Sequence, residues 1–535
     1  MITHTSVTSP STEYKIDFVD RVLDNVHGFI MLTALERDIA ELIIFKRLQS
    51  IKQLSLVNWV FPGAEHTRYA HSLGVMHIVD KMAIQLKFTH GDRQLLRIAG
   101  LLHDIGHYPL SHVGERAYEL ELEKSNYLGV HLNNTLMNVN KISNIKLRKD
   151  NGNNNKFHHE KISEIIITNS ERIKNLISHH TPFIDIKDIC DIITGNYLRN
   201  PKLSAMIQLM HSELDADRLD YSMRDASTLG INYNADINVI INNLELAKKY
   251  DVDIVGIKPK GISAADQYML NRFFSQSQVI ANRHVAALEL MARTLIRFFG
   301  ANGMFDFPKK DEGIIKSAEK HEDDPTFIQF TDHLFWNAVY EIYKEREKKT
   351  KYPWYIIKFA IMLTQHQEIK ANRDAEFAET SLDSTMLMNK VKESPHFIRL
   401  QKNIHNGLMQ YEEHAEYDKD SQDNYYIQKL HRVSVIDSMP YEKFEQLLKE
   451  LSESFHSENS ENYKLEREAL VEKYYRFRYR DGLAVIETKQ GVPTVHLLVD
   501  DPRSILNSIY SLKMVVFREY FSDRHENLEN AVSLS

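Results

Sequence analysis

"GLLHDIGHYPLSH" (residues 100–112), read with "HTRYAHSLGV" (residues 66–75), decides what kind of molecule this is. The two windows together hold five histidines, Arg68 and an adjacent His103-Asp104 pair. Arg68 and His71 are three apart, and His103 and His107 four apart, the spacings that bring side chains to one face of a helix. The apolar "IAGLL" just before His103 predicts a helix that starts in a core and ends at a cavity. Farther along, "SELDADRLDYSMRDASTLG" sets Asp217, Tyr221 and Asp225 on one helical face. Any one of these histidines would ordinarily be a surface residue or a hydrogen-bonded core residue. Several of them with carboxylates alongside point to a metal. Imidazole and carboxylate donors together suit Mn, Fe, Zn or Ni, whereas an oxygen-only set suits Mg or Ca.

The rest of the chain supplies the setting. At 535 residues it is too long for a single compact core. The formal charge of −8, with no long basic run, argues against a coat for duplex nucleic acid. It leaves room for an anionic small substrate met by a few local arginines. A single cysteine, Cys190, excludes an internal disulfide framework and points to a reducing, cytoplasmic setting. No apolar run approaches the length of a membrane span, and the first residues lack the pattern of a signal peptide.

Glycine (19) and proline (13) are sparse, and apolar residues recur at helical spacing, as at Leu35, Ile39, Leu42, Ile43 and Leu48. The expected class is mainly α: a helical core, then a smaller α+β C-terminal region. "GLAVIETKQGVPTVHLLVDD" alternates around Lys489 to Gly491 and predicts a β-hairpin there. The expected division is a disordered tail over 1–12, a helical domain over 13–300 with a surface insertion at 138–156, and a C-terminal region over 301–535 serving oligomerisation or regulation. A polar connection is expected at 305–325, followed by renewed helical patterning at "FIQFTDHLFWNAVYEIYKEREKK".

The ordered series His71, His103-Asp104, Asp217 resembles the HD-domain metal-dependent phosphohydrolases. Five blocks, "VHGFIML", "FKRLQSIKQLSLVNWVFPGAEHTRYAHSLGV", "AGLLHDIGHYPLSHVGE", "HHEKISEIII" and "ELDADRLDYSMRDASTLG", resemble the dNTP triphosphohydrolase branch over about residues 20 to 300. The resemblance implies a helical HD-domain core and makes His71, His103, Asp104 and Asp217 the ligands of one divalent ion (Mn, Fe, Zn, Ni or Mg). It gives His107, His112, Glu115, His159 and Glu160 as the catalytic histidine–acid cluster, with His112 and His159 moving protons. It also implies that Arg68, Arg218 and Arg272 meet phosphate charge, and that Gln53, Leu54, Tyr221 and Asp225 hold the sugar. A nucleotide substrate, a nucleotide effector and a homo-oligomer belong to the same implication, with no residues named for the effector.

One departure stands out. The family has an aromatic followed by His-Lys where this chain has "IANR", with Ile280, Asn282 and Arg283. Arg283 keeps a positive charge on the substrate side, while the base-side aromatic is gone. Three functions therefore stay open at this point: dNTP hydrolysis to deoxynucleoside and triphosphate, a phosphodiesterase or nuclease, and a nucleotide-sensing regulator.

Overall fold

A computed structural model describes residues 14–123, 158–196, 199–232, 235–249, 252–304, 328–347, 352–371, 377–382, 414–417, 424–435, 482–489 and 492–523, with isolated positions between 445 and 467. The expected tail at 1–12, the insertion at 138–156 and the connection at 305–325 lie outside the described residues.

The chain enters through an antiparallel pair, β1 (Phe18–Asp24) and β2 (Gly28–Thr33). Thr33 then starts helix α1 (Ala34–Glu41) with a capping box: its hydroxyl accepts from Glu36 N, and the Glu36 carboxylate accepts from Thr33 N. The helical stripe expected to run from Leu35 through Leu48 does not stay in one helix. Leu42 is extended (ψ 137°), short helical turns follow, and Ile43 is exposed while Ile44 and Phe45 are buried. The break turns Arg47 inward, where its guanidinium donates to the carbonyls of His107, Ile105 and Phe330. Three buried acceptors outweigh the continuity of one helix.

The site is carried by α2 (Arg68–Gln85), α3 (His90–Leu102), α4 (His112–Glu123), α5 (His159–Asn169) and, beyond α6 (Glu171–His180) and α7 (Ile186–Thr194), α8 (Ala216–Leu229). Asp215 caps α8 through Arg218 N, and Gly230 ends it with a positive φ of 67°. Two glycines let the site close up. A Cβ on Gly74 would stand 1.9 Å from Asp220 Oδ1, and one on Gly106 would stand 2.5 Å from His159 O, so α8 and α5 approach only because neither has a side chain.

Helices α9 (Ile262–Ser275), α10 (Arg283–Ala301), α11 (Asp332–Lys344) and α12 (Trp354–Thr364) complete a mainly helical molecule. Length alone predicts more than one core, yet among the described residues one apolar cluster runs through most of these helices and takes in Leu506 and Tyr520 near the far end of the chain. The hairpin expected late in the sequence is present: β9 (Ala484–Lys489) pairs antiparallel with β10 (Val492–Leu497), Lys489 opposite Val492. Strands were not anticipated before residue 300, yet β3 (Leu244–Lys249) and β4 (Val252–Ile257) form a second antiparallel pair. β4 joins β9 in parallel at Gly256–Ala484 and Ile257–Val485, giving the sheet order β10-β9-β4-β3. Another sheet, order β5-β11-β8-β7, brings together β5 (Lys370–Ala371), β7 (His414–Tyr417), β8 (Asn424–Ser434) and β11 (Lys513–Asp523); β6 (Phe377–Ser381) also pairs with β11. Among the described residues no helix is long and apolar enough to cross a membrane.

Candidate active site

The site forms where the first turn of α2, the end of α3 and the first turn of α8 converge. His71, His103 and Asp217 each present a ligand atom within 4.8 Å of the others. His71 Nε2 lies 2.9 Å from Asp217 Oδ1, and its Nδ1 donates to Asp220 Oδ2 at 2.7 Å. That second bond fixes the ring and leaves Nε2 as the atom facing the site. Burial opposes charge on His71, but hydrogen bonds to Asp217 and Asp220 outweigh it and raise the pKa to about 9.

Helix α3 stops at Leu102, and His103 is its C-cap. The expected helical face shared by His103 and His107 is therefore a turn after the helix, with His107 N bonded to Asp104 O. His103 Nδ1 donates to Gly100 O at 2.8 Å, and its Nε2 is buried with no hydrogen-bond partner. An orphaned imidazole nitrogen beside carboxylates is what a metal-ligand set looks like before the ion is added. Asp104, the fourth expected ligand, stands beside this group: Oδ1 is 3.4 Å from His103 Nε2, and Oδ2 is 3.9 Å from His71 Nε2. The donor set fits a divalent ion, with two imidazoles and two carboxylates leaving open positions, as an octahedral centre requires.

Asp104 is also the link to a second cluster. His159 Nε2 lies 3.6 Å from Asp104 Oδ1 and 3.6 Å from Glu160 Oε1. Glu115 Oε1 accepts from both His159 N (2.9 Å) and His159 Nδ1 (3.0 Å), so one carboxylate caps α5 and aims the ring. Its other oxygen meets His112 Nδ1 at 2.8 Å, on a side chain that is 57% exposed and faces the open side. Burial disfavours a charged His159, but Glu160 and Glu115 outweigh it and hold the pKa at about 9. His107 stacks on His159 with ring centroids 4.4 Å apart. Burial, with Arg68 and His159 nearby, keeps His107 neutral far below the usual histidine range. His107, His112 and His159 form a further group with metal-ligand spacing.

Arg68 is buried against both clusters. Its guanidinium donates to Asp104 Oδ2 (2.8 Å), Ser111 Oγ (3.0 Å) and Gln53 O (3.4 Å). Gln53 is buried with its side-chain oxygen unpartnered, and Leu54 packs beside Val57 and Val279. Arg218 and Arg272 converge on one carboxylate, Glu213 Oε2, at 3.4 and 2.9 Å. Tyr221 is half-buried, and burial pushes its hydroxyl up to about 12. Asp225 is bonded to His66 Nε2 at 2.7 Å. Arg283 is exposed at the start of α10, with its Nε on His284 Nε2, and Ile280 closes a π-helical turn, Gln276–Ile280.

Sequence reading missed Asp220, His66, His27 and Glu213. His27 Nε2 reaches Asp220 Oδ1 at 2.5 Å from the β1–β2 tip, and Arg224 holds the same carboxylate. Asp220 carried a signal: it lies three residues beyond Asp217 on the same helix, so it shares the face that meets α2.

Residues 68–221 match the family model described as HD domain. An uncharacterized protein of Mycoplasma pneumoniae is 27% identical over 413 residues, 74% of this chain and 87% of its own. Deoxynucleoside triphosphate triphosphohydrolase SAMHD1 of Homo sapiens is 28% identical over 263 residues, 44% of this chain and 37% of its own. A homologue of that enzyme from Dictyostelium discoideum is 25% identical over 352 residues, 64% of this chain and 59% of its own. A crystal structure of a hypothetical protein from Aquifex aeolicus shares the fold, with a TM-score of 0.57 and 19% identity across 96% of this chain and 99% of that one.

Proposed function

We propose, on the footing that residues 68–221 are an HD domain of the metal-dependent phosphohydrolase type, that this chain hydrolyses deoxynucleoside triphosphates to deoxynucleoside and inorganic triphosphate. The observation that carries the reading is Asp104, which joins the His71–His103–Asp217 group on one side to the His159–Glu115 pair on the other. His71, His103, Asp104 and Asp217 would hold the ion, which when bound polarises a phosphoryl oxygen and lowers the pKa of water. The remaining work falls to side chains. Water attacks the α-phosphorus, a new P–O bond forms and the bond to the 5′-oxygen breaks. His159 gives that oxygen its proton, and Glu115 holds the ring toward it. Arg68, already oriented by Ser111, donates to the non-bridging oxygens as charge builds on them. Arg218 and Arg272 supply positive charge for the outer phosphates, with Glu213 holding the pair in register. The SAMHD1 relatives support the substrate class.

The purified protein with Mn²⁺ and each dNTP and NTP, singly and mixed, tests the reading by chromatography. Deoxynucleoside plus triphosphate supports it. Monophosphate as product means a pyrophosphohydrolase, and no turnover moves the weight to a nucleotide sensor. A second reading has its own observation: the His107–His112–His159 group could take a second ion, which suits a phosphodiesterase or nuclease.

Arg68→Ala is expected to lower kcat/KM by 10²–10³, about 2.7–4 kcal/mol, the usual loss for a donor that acts on developing charge. Steady-state kinetics beside metal analysis checks this. An unchanged kcat/KM would mean that Arg68 only braces Asp104.

A further inference from the structure

The turn that carries Arg68's partner Ser111 is strained. Leu110 and Ser111 have φ of 55° and 52°, and Ser55, in the facing loop, has 52°. Left-handed backbone at non-glycine residues is unfavourable and persists only where the surroundings fix it. What fixes it comes from α11, on the far side of the molecule's sequence. Asp332, the first residue of α11, directs its side-chain hydrogen bonds away from its own helix. Its Oδ1 accepts from Leu110 N at 2.7 Å and its Oδ2 from Lys52 N at 3.0 Å. The carboxylate is buried, 7% exposed, and Lys52 Nζ pairs with Glu65 instead. Burial pushes its pKa up to about 6, against the two N–H bonds and the charges of Lys52 and His333. Burying a carboxylate with two amides for partners is costly, and no neutral side chain of this size offers two acceptors in that fork.

Both loops it grips lead straight to the site. Lys52 precedes Gln53, and Lys52 O accepts from Ser111 Oγ at 2.6 Å. Ser111 in turn accepts from Arg68 Nε and precedes His112. We infer that Asp332 is a positioning residue for the reaction, clamping the Lys52–Gln53 loop to the Leu110–His112 turn so that Arg68, Gln53 and His112 face one substrate. The active site is then incomplete without the C-terminal part of the chain. This inference rests on the function proposed above, and its test separates the two.

Asp332→Asn keeps the shape and loses one acceptor. Hydrogen exchange of the full-length protein, read over residues 49–56 and 106–113, comes first. In the wild type, the Lys52 and Leu110 amides should exchange slowly although both lie in irregular segments; fast exchange there overturns the clamp whatever the variant does. In Asp332→Asn, exchange should rise at least tenfold in one or both segments while the unfolding midpoint stays within a few degrees. With dNTP, kcat should fall at least tenfold with a smaller change in KM, and metal content should stay at the wild-type level. Unchanged exchange overturns the clamp, and faster exchange with wild-type kcat overturns its role in positioning. If the wild type turns over no nucleotide, the proposed function fails, and the exchange result still decides whether Asp332 holds the two loops together.

Discussion

His103→Ala is expected to leave the protein folded, free of bound divalent metal and without turnover. The His103 ring makes one hydrogen bond in the described structure, from Nδ1 to Gly100 O. Losing a bond of that kind costs about 0.5–1.5 kcal/mol, too little to unfold a domain of this size. The other nitrogen is the buried, unpartnered one that faces Asp104 and Asp217. Removing it takes one donor of four from the set, and the three that remain bind far more weakly. Asp104→Ala should lose metal as well but reads less cleanly, because it also strips buried Arg68 of its carboxylate. Breaking a buried pair from one side typically costs about 3–5 kcal/mol. Elemental analysis with circular dichroism checks the pair, and full metal occupancy in His103→Ala would remove His103 from the ligand set.

His159→Ala should do the reverse, keeping the metal and losing activity by about 10²–10⁴, the range for a lost general acid. The group formed by His71, His103 and Asp217 makes no use of this ring. Glu115 keeps its bond to the backbone N–H at position 159 and its contact with His112. The pH profile supplies the sign. A pKa raised to about 9 means that His159 carries its proton at neutral pH and loses it as pH rises through that value. The wild type should therefore show an alkaline limb, and a bound cation nearby shifts it below 9 by opposing the imidazolium. That limb should be missing in His159→Ala. If the variant loses metal instead, the three-histidine group belongs to the coordination shell, and phosphodiester cleavage becomes the better reading.

The parts of the site legible in the sequence are those whose geometry is local. Arg68 and His71 sit one turn apart on α2, and Asp217 and Tyr221 one turn apart on α8, so helical spacing alone aligned them. His103 was placed at the end of a helix by the apolar run before it, and α3 does end at Leu102. Long-range partners were not legible. Asp220 meets His71 across 149 residues and His27 across 193, and no periodicity reports a pairing at that distance. The break at Leu42 was hidden for the same reason, since what bends the chain there is Arg47 reaching carbonyls at Ile105, His107 and Phe330. The early strands are as long as β9 and β10 but lack their apolar–polar alternation: in β2 the exposed Phe29 and Met31 are as apolar as the buried Ile30 and Leu32.

The parallel seam between β4 and β9 also constrains how the chain can be made. During synthesis β3 and β4 emerge long before Ala484–Lys489, so β4 waits with an open edge while α9 to α12 are being added. Ala247 and Ile254, fully covered in the finished sheet, lack Ala484, Ile486 and Val495 for that interval. Unpaired edges and late non-local pairing are where nascent chains stick to one another. A chain cut at residue 300 would keep every proposed metal ligand and still carry that bare edge. It should reach the pellet sooner than the full-length protein, and a lysate spun before and after mild heating would show it.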